Sequence, residues 1–197
     1  MLYILGSASP RRKMILSDYF PDIKIVHPSI DESPFFEEAP EAFAKRIALE
    51  KMQNITGQIN AYKEYVAVTS DTVVTIDGKI LGKPESFTSA RDMLALLSGK
   101  EHRVVTGMAV SLKRNNALRE FAAIESTSVF FKNLTDEIIN DYLKRVEYMD
   151  KAGSYAVQEQ GDMIIESIKG SLTNVIGFPL RLFFSILAQN NEMELLF

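Results

Sequence analysis

The sequence predicts a mixed α/β fold, a mixed sheet flanked by helices and arranged as two lobes around a cleft, and three observations predict it. Short β-branched apolar runs recur along the chain, stretches of helical period lie between them, and several runs are separated by hairpin-type turns, so that some strands are antiparallel. At 197 residues the chain suffices for one well-buried core or two small lobes and is too short for two ordinary domains with a linker. One domain over residues 1–197 is expected.

Leu2 to Leu5 reads as a buried strand, and Gly6-Ser7-Ala8-Ser9 as a tight polar turn feeding Pro10, a favoured first residue of a helix, with Ser9 as its N-cap. That helix is expected to turn Met14, Ile15 and Tyr19 inward and to end before Pro21. Ile23 to Val26 follows as a second strand, and after the polar loop Asp31 to Glu38 a helix runs from Pro40 through Asn54, with Phe43, Ile47 and Ala48 at helical spacing and Lys51 near its C-terminal end. Tyr65 to Ile76 reads as a long strand broken by Thr69-Ser70-Asp71-Thr72, and Asp77-Gly78 is a hairpin turn before Ile80-Leu81. Ser89 to Leu97 forms an amphipathic helix closed by Gly99. Val104 to Leu112 and Ile124 to Phe131 pair as antiparallel strands, Thr135 caps a helix through Lys144 or Arg145, Tyr155–Val157 and Met163–Ile165 are short strands, and Pro179 starts a last helix through Leu187. There is no internal repeat.

Hydrophobic residues make up 46% and charged residues 24% of the chain, ordinary globular usage that leaves no compositional case for disorder. A net charge of −4 argues against a general nucleic-acid binder, which needs many clustered Lys and Arg side chains to release counterions. With no cysteine, disulfides, thiol catalysis and Cys-ligated zinc are excluded, and two histidines are too few for a His-rich metal site. The N-terminal apolar run precedes the basic residues, the reverse of a signal peptide, and no stretch approaches the ~20 apolar residues of a membrane span. The expectation is a cytoplasmic protein that binds neither membrane nor nucleic acid.

Four segments carry candidate chemistry. In Ser7-Ala8-Ser9-Pro10-Arg11-Arg12, small residues allow close backbone approach, a helix N-terminus offers free N–H groups, and two arginines supply planar forks, a phosphate-binding arrangement; an ordinary capped helix start would read the same way. Ser70-Asp71-Thr72 places between apolar runs a carboxylate able to hold a divalent cation or take a proton from water, or it is a turn between two strands. Gly82-Lys83-Pro84 holds a lysine between a flexible and a rigid residue, Lys51 reads locally as a complement to a helix dipole, and Asp31-Glu32 as a solvated loop. In Asp150 to Gln158 and Gly170 to Pro179, glycines mark close approaches or structural turns, and Gln158 offers a donor and an acceptor suited to a base edge.

Taken together, SASPRR, the DES loop at Asp31 to Ser33, Glu50-Lys51, SDTVV, ILGKP, LSGKEHRVVTG, DKAGSYAVQ and GSLTNVIGFPL resemble, in order and over nearly the whole chain, the Maf family of nucleoside triphosphate pyrophosphatases. DKAGSYAVQ is more similar to the branch acting on dTTP and UTP than to the branch acting on 7-methylguanosine triphosphate. The resemblance implies a Maf/ITPase-like fold and hydrolysis of a nucleoside triphosphate, dTTP, UTP or a modified uridine triphosphate, to the monophosphate and pyrophosphate. It implies a triphosphate site of Ser7, Arg11, Arg12, Lys51 and Lys83, with Asp71 as catalytic base or metal carboxylate and Glu32 as second acidic residue toward Mg²⁺ or Mn²⁺. Specificity positions fall on Arg12, Thr72 and Gln158, and a homodimer is suggested. The chain departs from the family pattern at Gly6, where alanine is common, at Glu159, where glycine usually follows the glutamine, and at Phe178, which replaces leucine. Because the family is also associated with arrest of septum formation, the rival reading is a non-enzymatic nucleotide-binding regulator of cell division. A requirement for Asp71 beside a phosphate site favours the enzyme.

Overall fold

The computed structural model describes residues 1–190; residues 191–197 of the expected domain lie outside the described residues. Strand β1 (Leu2–Gly6) pairs in parallel with β2 (Lys24–Val26) on one side and with β3 (Tyr65–Ile76) on the other. β3 turns back through Asp77 and Gly78, at φ of 50° and 76°, into antiparallel β4 (Lys79–Leu81), as a two-residue primed hairpin turn requires. Asn115 and Asn116, at φ of 50° and 63°, make the corresponding turn between β5 (Glu101–Arg114) and β6 (Ala117–Phe131), and β7 (Ile165–Lys169) pairs antiparallel with β6. The result is a seven-stranded mixed sheet of order β2-β1-β3-β5-β6-β7, with β4 beside β3. Its helices are α1 (Pro10–Ser17), α2 (Pro40–Ile59), α3 (Phe87–Leu97), α4 (Asp136–Arg145), the single turn α5 (Gly161–Ile164), α6 (Leu172–Ile176) and α7 (Leu180–Gln189).

The expected mixed α/β class holds, with four differences of detail. β3 is one unbroken strand of twelve residues, because Thr69 to Thr72 stay extended; Ser70 is wholly buried, as a central strand covered on both faces demands. α2 continues past Asn54 to Ile59, since Ile55 and Ile59 extend its apolar stripe. In α1 the core residues are Ile15 and Leu16, while Met14 and Tyr19 are exposed. Tyr155–Val157 is not a strand, and Met163 and Ile164 close α5 before β7 begins at Ile165.

The described residues divide into two compact units: Met1–Asp71, Thr106–Glu125 and residues 177–190 form the first, and Thr72–Val105 with Ser126–Ile176 the second. Within the first, Ile4, Val26, Ala48, Ile55, Ile59 and Tyr65 share an apolar cluster. The second has its own cluster around Val74, Leu94, Val104, Phe131, Tyr142 and Tyr155. α4 shows how locally the second unit is specified. Thr135 accepts from the Ile138 N–H as N-cap, Asp136 and Glu137 sit in the first turn and Lys144 and Arg145 in the last, each complementing the helix dipole.

Candidate functional site

A lysine occupies a core position of α2. Ile47, Lys51, Ile55 and Ile59 follow at intervals of four, which places Lys51 on the buried face, and its residue is 6% exposed. A buried ammonium needs partners, and β3 supplies one: Thr69 donates to the Ala48 carbonyl of α2 at 2.6 Å, and two residues further along the same strand face Asp71 Oδ1 accepts from Lys51 Nζ at 2.7 Å. Asp71 is itself buried at 7% exposure. Lys51 therefore lies in the interior of α2 and is no dipole complement at its end, and SDT is no surface turn. The sequence signal for Lys51 was its place in the row of every fourth residue, visible once the helix is extended through Ile59.

Lys51 has a second carboxylate partner. Glu32 Oε1 lies 2.9 Å from Nζ, although the Glu32 side chain is 49% exposed. Two acidic side chains from distant parts of the chain thus meet at one ammonium, one from a buried strand and one from a surface loop.

The SASPRR segment folds onto the same unit. Parallel register pairs Gly6 with Thr69, so the loop that continues from β1 follows the edge of Ser70 and Asp71. Ser9 accepts from the Arg12 N–H as N-cap of α1, and Ser7 Oγ accepts from the Ser9 N–H at 3.1 Å. Arg12 folds back over this turn, donating from Nη1 to Ser7 Oγ at 3.1 Å and from Nε to the Gly177 carbonyl at 2.8 Å. Burial pulls the Arg12 pKa below its ordinary value, Asp71 and Glu32 raise it, and Arg11 lowers it further. Arg12 is thus a fixed cation within the field of both carboxylates, and Arg11 beside it is half-buried.

Thr72, Lys83 and Gln158 belong to the second unit. Thr72 continues β3 and is half-buried; the side chains of Lys83 and Gln158 are exposed and make no hydrogen bond among the described residues. The segment leading to Gln158 is stapled by Lys151, a residue of DKAGSYAVQ to which the sequence assigned no role of its own. Only 4% exposed, Lys151 Nζ donates to the Glu147 carbonyl, to Asp150 Oδ1 at 2.9 Å and to Glu159 Oε1 at 3.2 Å. Glu159 Oε2 also accepts from the Glu147 N–H at 3.3 Å. Both Glu159 oxygens are therefore engaged with the chain itself. Further along, Asn174 Nδ2 donates to the Val104 carbonyl and to Thr127 Oγ1, each at 3.0 Å, while Thr127 Oγ1 accepts from the Ser171 N–H at 3.1 Å. GSLTN is thereby a structural staple onto the sheet.

The family model described as Maf-like protein matches residues 3–190. The chain is 40% identical to the dTTP/UTP pyrophosphatase of Clostridioides difficile over 181 residues, covering 91% of this chain and 90% of that protein. It is 37% identical to the dTTP/UTP pyrophosphatase of Pyrococcus furiosus over 195 residues, 98% of each. Among solved structures, the Staphylococcus aureus Ham1 protein is similar at 13% identity and a TM-score of 0.47, over 96% of this chain and 100% of that one. With a family match over nearly its whole length and close relatives that it spans almost end to end, this chain belongs to the Maf family.

Proposed function

We propose that this chain is a nucleoside triphosphate pyrophosphatase that hydrolyses dTTP and UTP, and 5-substituted uridine triphosphates, to the nucleoside monophosphate and pyrophosphate. The observation that carries the reading is the buried Lys51–Asp71 pair, joined by Glu32 and set in the unit that holds Ser7, Arg11 and Arg12. Two relatives named dTTP/UTP pyrophosphatase support the substrate. A module that only binds an anion has no need of a carboxylate buried against the cation, which favours catalysis over the regulator reading.

In this reading Asp71 is the general base. Its Oδ1 is held by Lys51 Nζ, and Oδ2, which makes no hydrogen bond among the described residues, takes a proton from the attacking water. The water oxygen bonds to the α-phosphorus as the bond to the bridging oxygen of the β-phosphate breaks, and pyrophosphate leaves. Lys51, Arg11, Arg12 and Lys83 neutralise charge on the phosphates, as phosphoryl transfer requires. On an acidic protein of net charge −4, such cations also steer an anionic substrate.

Among the described residues no cluster of three or more His, Asp or Glu side chains is poised around one metal position. Two carboxylates that already converge on one cation nevertheless suit Mg²⁺ or Mn²⁺, which bind through one or two carboxylates plus substrate phosphates. Asp71 and Glu32 would hold the ion, which when bound supplies further charge neutralisation at the phosphates. Thr72 and Gln158 are assigned to base selection. No helix among the described residues is long and apolar enough to cross a membrane, and the site is read as serving a cytoplasmic nucleotide.

The test is pyrophosphate release from a panel of standard and modified triphosphates with Mg²⁺ or Mn²⁺, with early products separated by chromatography. Monophosphate and pyrophosphate should appear together from the first time point. A nucleoside diphosphate as primary product would overturn the proposed site of attack, and no turnover of any nucleotide would favour the regulator.

A further inference from the structure

Glu32 is exposed and sits in a loop, yet its carboxylate reaches a buried lysine. Something must hold that loop, and two fastenings to α2 do. At the leading end Asn54 forms a reciprocal pair with Ser29, accepting from its N–H and donating to its carbonyl, each at 3.0 Å. At the trailing end Arg46 donates from Nη2 to the Ser33 carbonyl at 3.1 Å, grips both Glu38 oxygens from Nε and Nη2 at 2.7 Å, and reaches Glu50 Oε1 from Nη1 at 3.0 Å. The ring of Phe35 lies under the guanidinium, its centroid 3.9 Å away. Between the fastenings Asp31 Oδ1 accepts from the Ser33 N–H at 2.9 Å and from Ser33 Oγ at 2.6 Å, closing a turn around Glu32 itself.

We propose that Arg46 is a positioning residue of the Lys51–Asp71–Glu32 centre: by clamping Ser33 and Glu38 to α2 it presents the Glu32 carboxylate. The inference rests on the reading in which Glu32 helps to hold the divalent cation. The guanidinium suits this task because its planar fork satisfies a bidentate carboxylate and a carbonyl at once, while its face covers an aromatic ring; a lysine cannot do all three. Without it the loop loses its trailing fastening to α2, keeping among the described residues the Asn54 pair and the Asp31 turn, and Glu32 loses its fixed distance to Lys51. Supporting partners of this kind typically govern metal affinity by roughly 10- to 100-fold while leaving the reacting groups in place.

The experiment compares wild type with Arg46→Met, Arg46→Lys, Glu32→Gln and the Glu32→Gln/Arg46→Met double variant. Three quantities are read: the Mn²⁺ concentration giving half-maximal pyrophosphate release from dTTP, Mn²⁺ bound in the presence of an α,β-imido analogue of dTTP by the electron paramagnetic resonance of the free ion, and the rate of chymotrypsin cleavage after Phe36, which is 93% exposed. Arg46→Met should raise the half-saturating Mn²⁺ by roughly 10-fold or more in both metal measurements, with kcat near wild type at saturating Mn²⁺ and faster cleavage at Phe36. Arg46→Lys should restore part of the loss, and in the Glu32→Gln background Arg46→Met should add nothing, because it acts through Glu32. Should Arg46→Met not fold, the lysine variant carries the same comparison. A shifted Glu32→Gln with an unshifted Arg46 variant overturns the role of Arg46 alone, as does an Arg46 effect that persists without Glu32. Unchanged Mn²⁺ dependence in Glu32→Gln overturns the metal reading of Glu32 and this inference with it.

Discussion

The two units bury their polar groups differently. Both bury neutral hydroxyls, but the first also buries an ion pair, Lys51 against Asp71, with Arg46 against Glu38, whose side chain is 9% exposed, beneath the loop. In the second the buried charge is a single cation, Lys151, and the other polar contacts are neutral, with His102 Nε2 2.8 Å from Tyr155 Oη, Tyr142 Oη accepting from the Ala156 N–H at 3.0 Å, and Asn174 stitched to Thr127. Desolvating ions costs several kcal/mol each, so a fold retains them where a fixed charge does something that packing cannot. Neutral polar groups need only their hydrogen bonds, and they shape loops. Under the proposed function, turnover would rest on Asp71 in the first unit and base selection on Thr72 and Gln158 in the second.

Asp71→Asn breaks that contrast most severely if it is wrong. An asparagine keeps an oxygen acceptor for Lys51, so the buried ammonium retains a partner and the fold should survive; removing the partner of a buried charge outright typically costs about 3–5 kcal/mol. The amide cannot take a proton. Turnover is expected to fall roughly 10²- to 10⁴-fold with little change in thermal midpoint. Near-normal kcat in a folded, metal-saturated Asp71→Asn protein would remove Asp71 from the reaction.

Gln158→Ala probes the other side. Uracil and thymine present acceptor, donor, acceptor along O4, N3–H and O2, which one glutamine amide complements, and cytosine reverses part of that pattern. Loss of the amide should leave kcat for dTTP largely intact and erase ~10- to 100-fold of discrimination against CTP, read as the ratio of kcat/KM values. Because Lys151 and the Glu147 N–H hold both oxygens of Glu159, Glu159→Gly should leave the base order unchanged. A base preference altered by Glu159→Gly would place that carboxylate in base selection.

Much of this was legible in the sequence. Ser9 capping α1, Thr135 capping α4, the Asp77-Gly78 turn and the order of elements as far as α4 follow from local rules, and SASPRR and SDT marked two segments that prove to adjoin. What was not legible depended on tertiary contact. Lys51 looked like a helix-end lysine because its charge hid its place in the Ile47, Ile55 and Ile59 row, and Thr69 to Thr72 looked like a break because polar residues seldom fill a central strand. Lys151 lay inside DKAGSYAVQ with nothing to mark its own role, and Arg46 gave no motif: their partners Glu159, Glu38 and Ser33 are fixed by loop geometry that no periodicity encodes.

Gly6 offers a smaller test within the first unit. A Cβ at this position would lie 2.5 Å from Thr69 Cγ2 and 2.7 Å from Ile55 Cδ1, closer than real contacts allow. The same Thr69 hydroxyl bonds the Ala48 carbonyl and fixes the register that faces Asp71 with Lys51. Gly6→Ala is expected to destabilise by about 1–3 kcal/mol through overpacking, and Gly6→Ala/Ile55→Val to recover part of it in denaturant titration. An unaltered unfolding midpoint in Gly6→Ala would mean that the β1–β3–α2 packing yields easily and does not hold the centre rigid.

Acid separates the two units by the pH at which each loses support. His102 in the second unit is buried against Phe131 and Tyr155, and burial lowers its pKa to about 4 from an ordinary 6.5. A group whose folded pKa is depressed binds fewer protons folded than unfolded between those values, so its support is complete above pH 6.5, declines as pH falls, and is fully lost below about 4. Between pH 7 and pH 5 this amounts to roughly 1–2 kcal/mol. Glu38 in the first unit is also depressed, first by its hydrogen bonds from Arg46, but from an ordinary carboxylate value of 4.5, so its contribution is present above that pH and is lost only below it. Stability measured by denaturant at pH 7 and pH 5 should therefore fall in wild type and fall less in His102→Gln, where the amide can still bond Tyr155 Oη without titrating. Glu38→Gln should keep the wild-type slope over that interval and lose part of it below pH 4.5. Equal pH 7 to 5 losses in wild type and His102→Gln would show that a neutral buried imidazole is not what makes the second unit acid-sensitive.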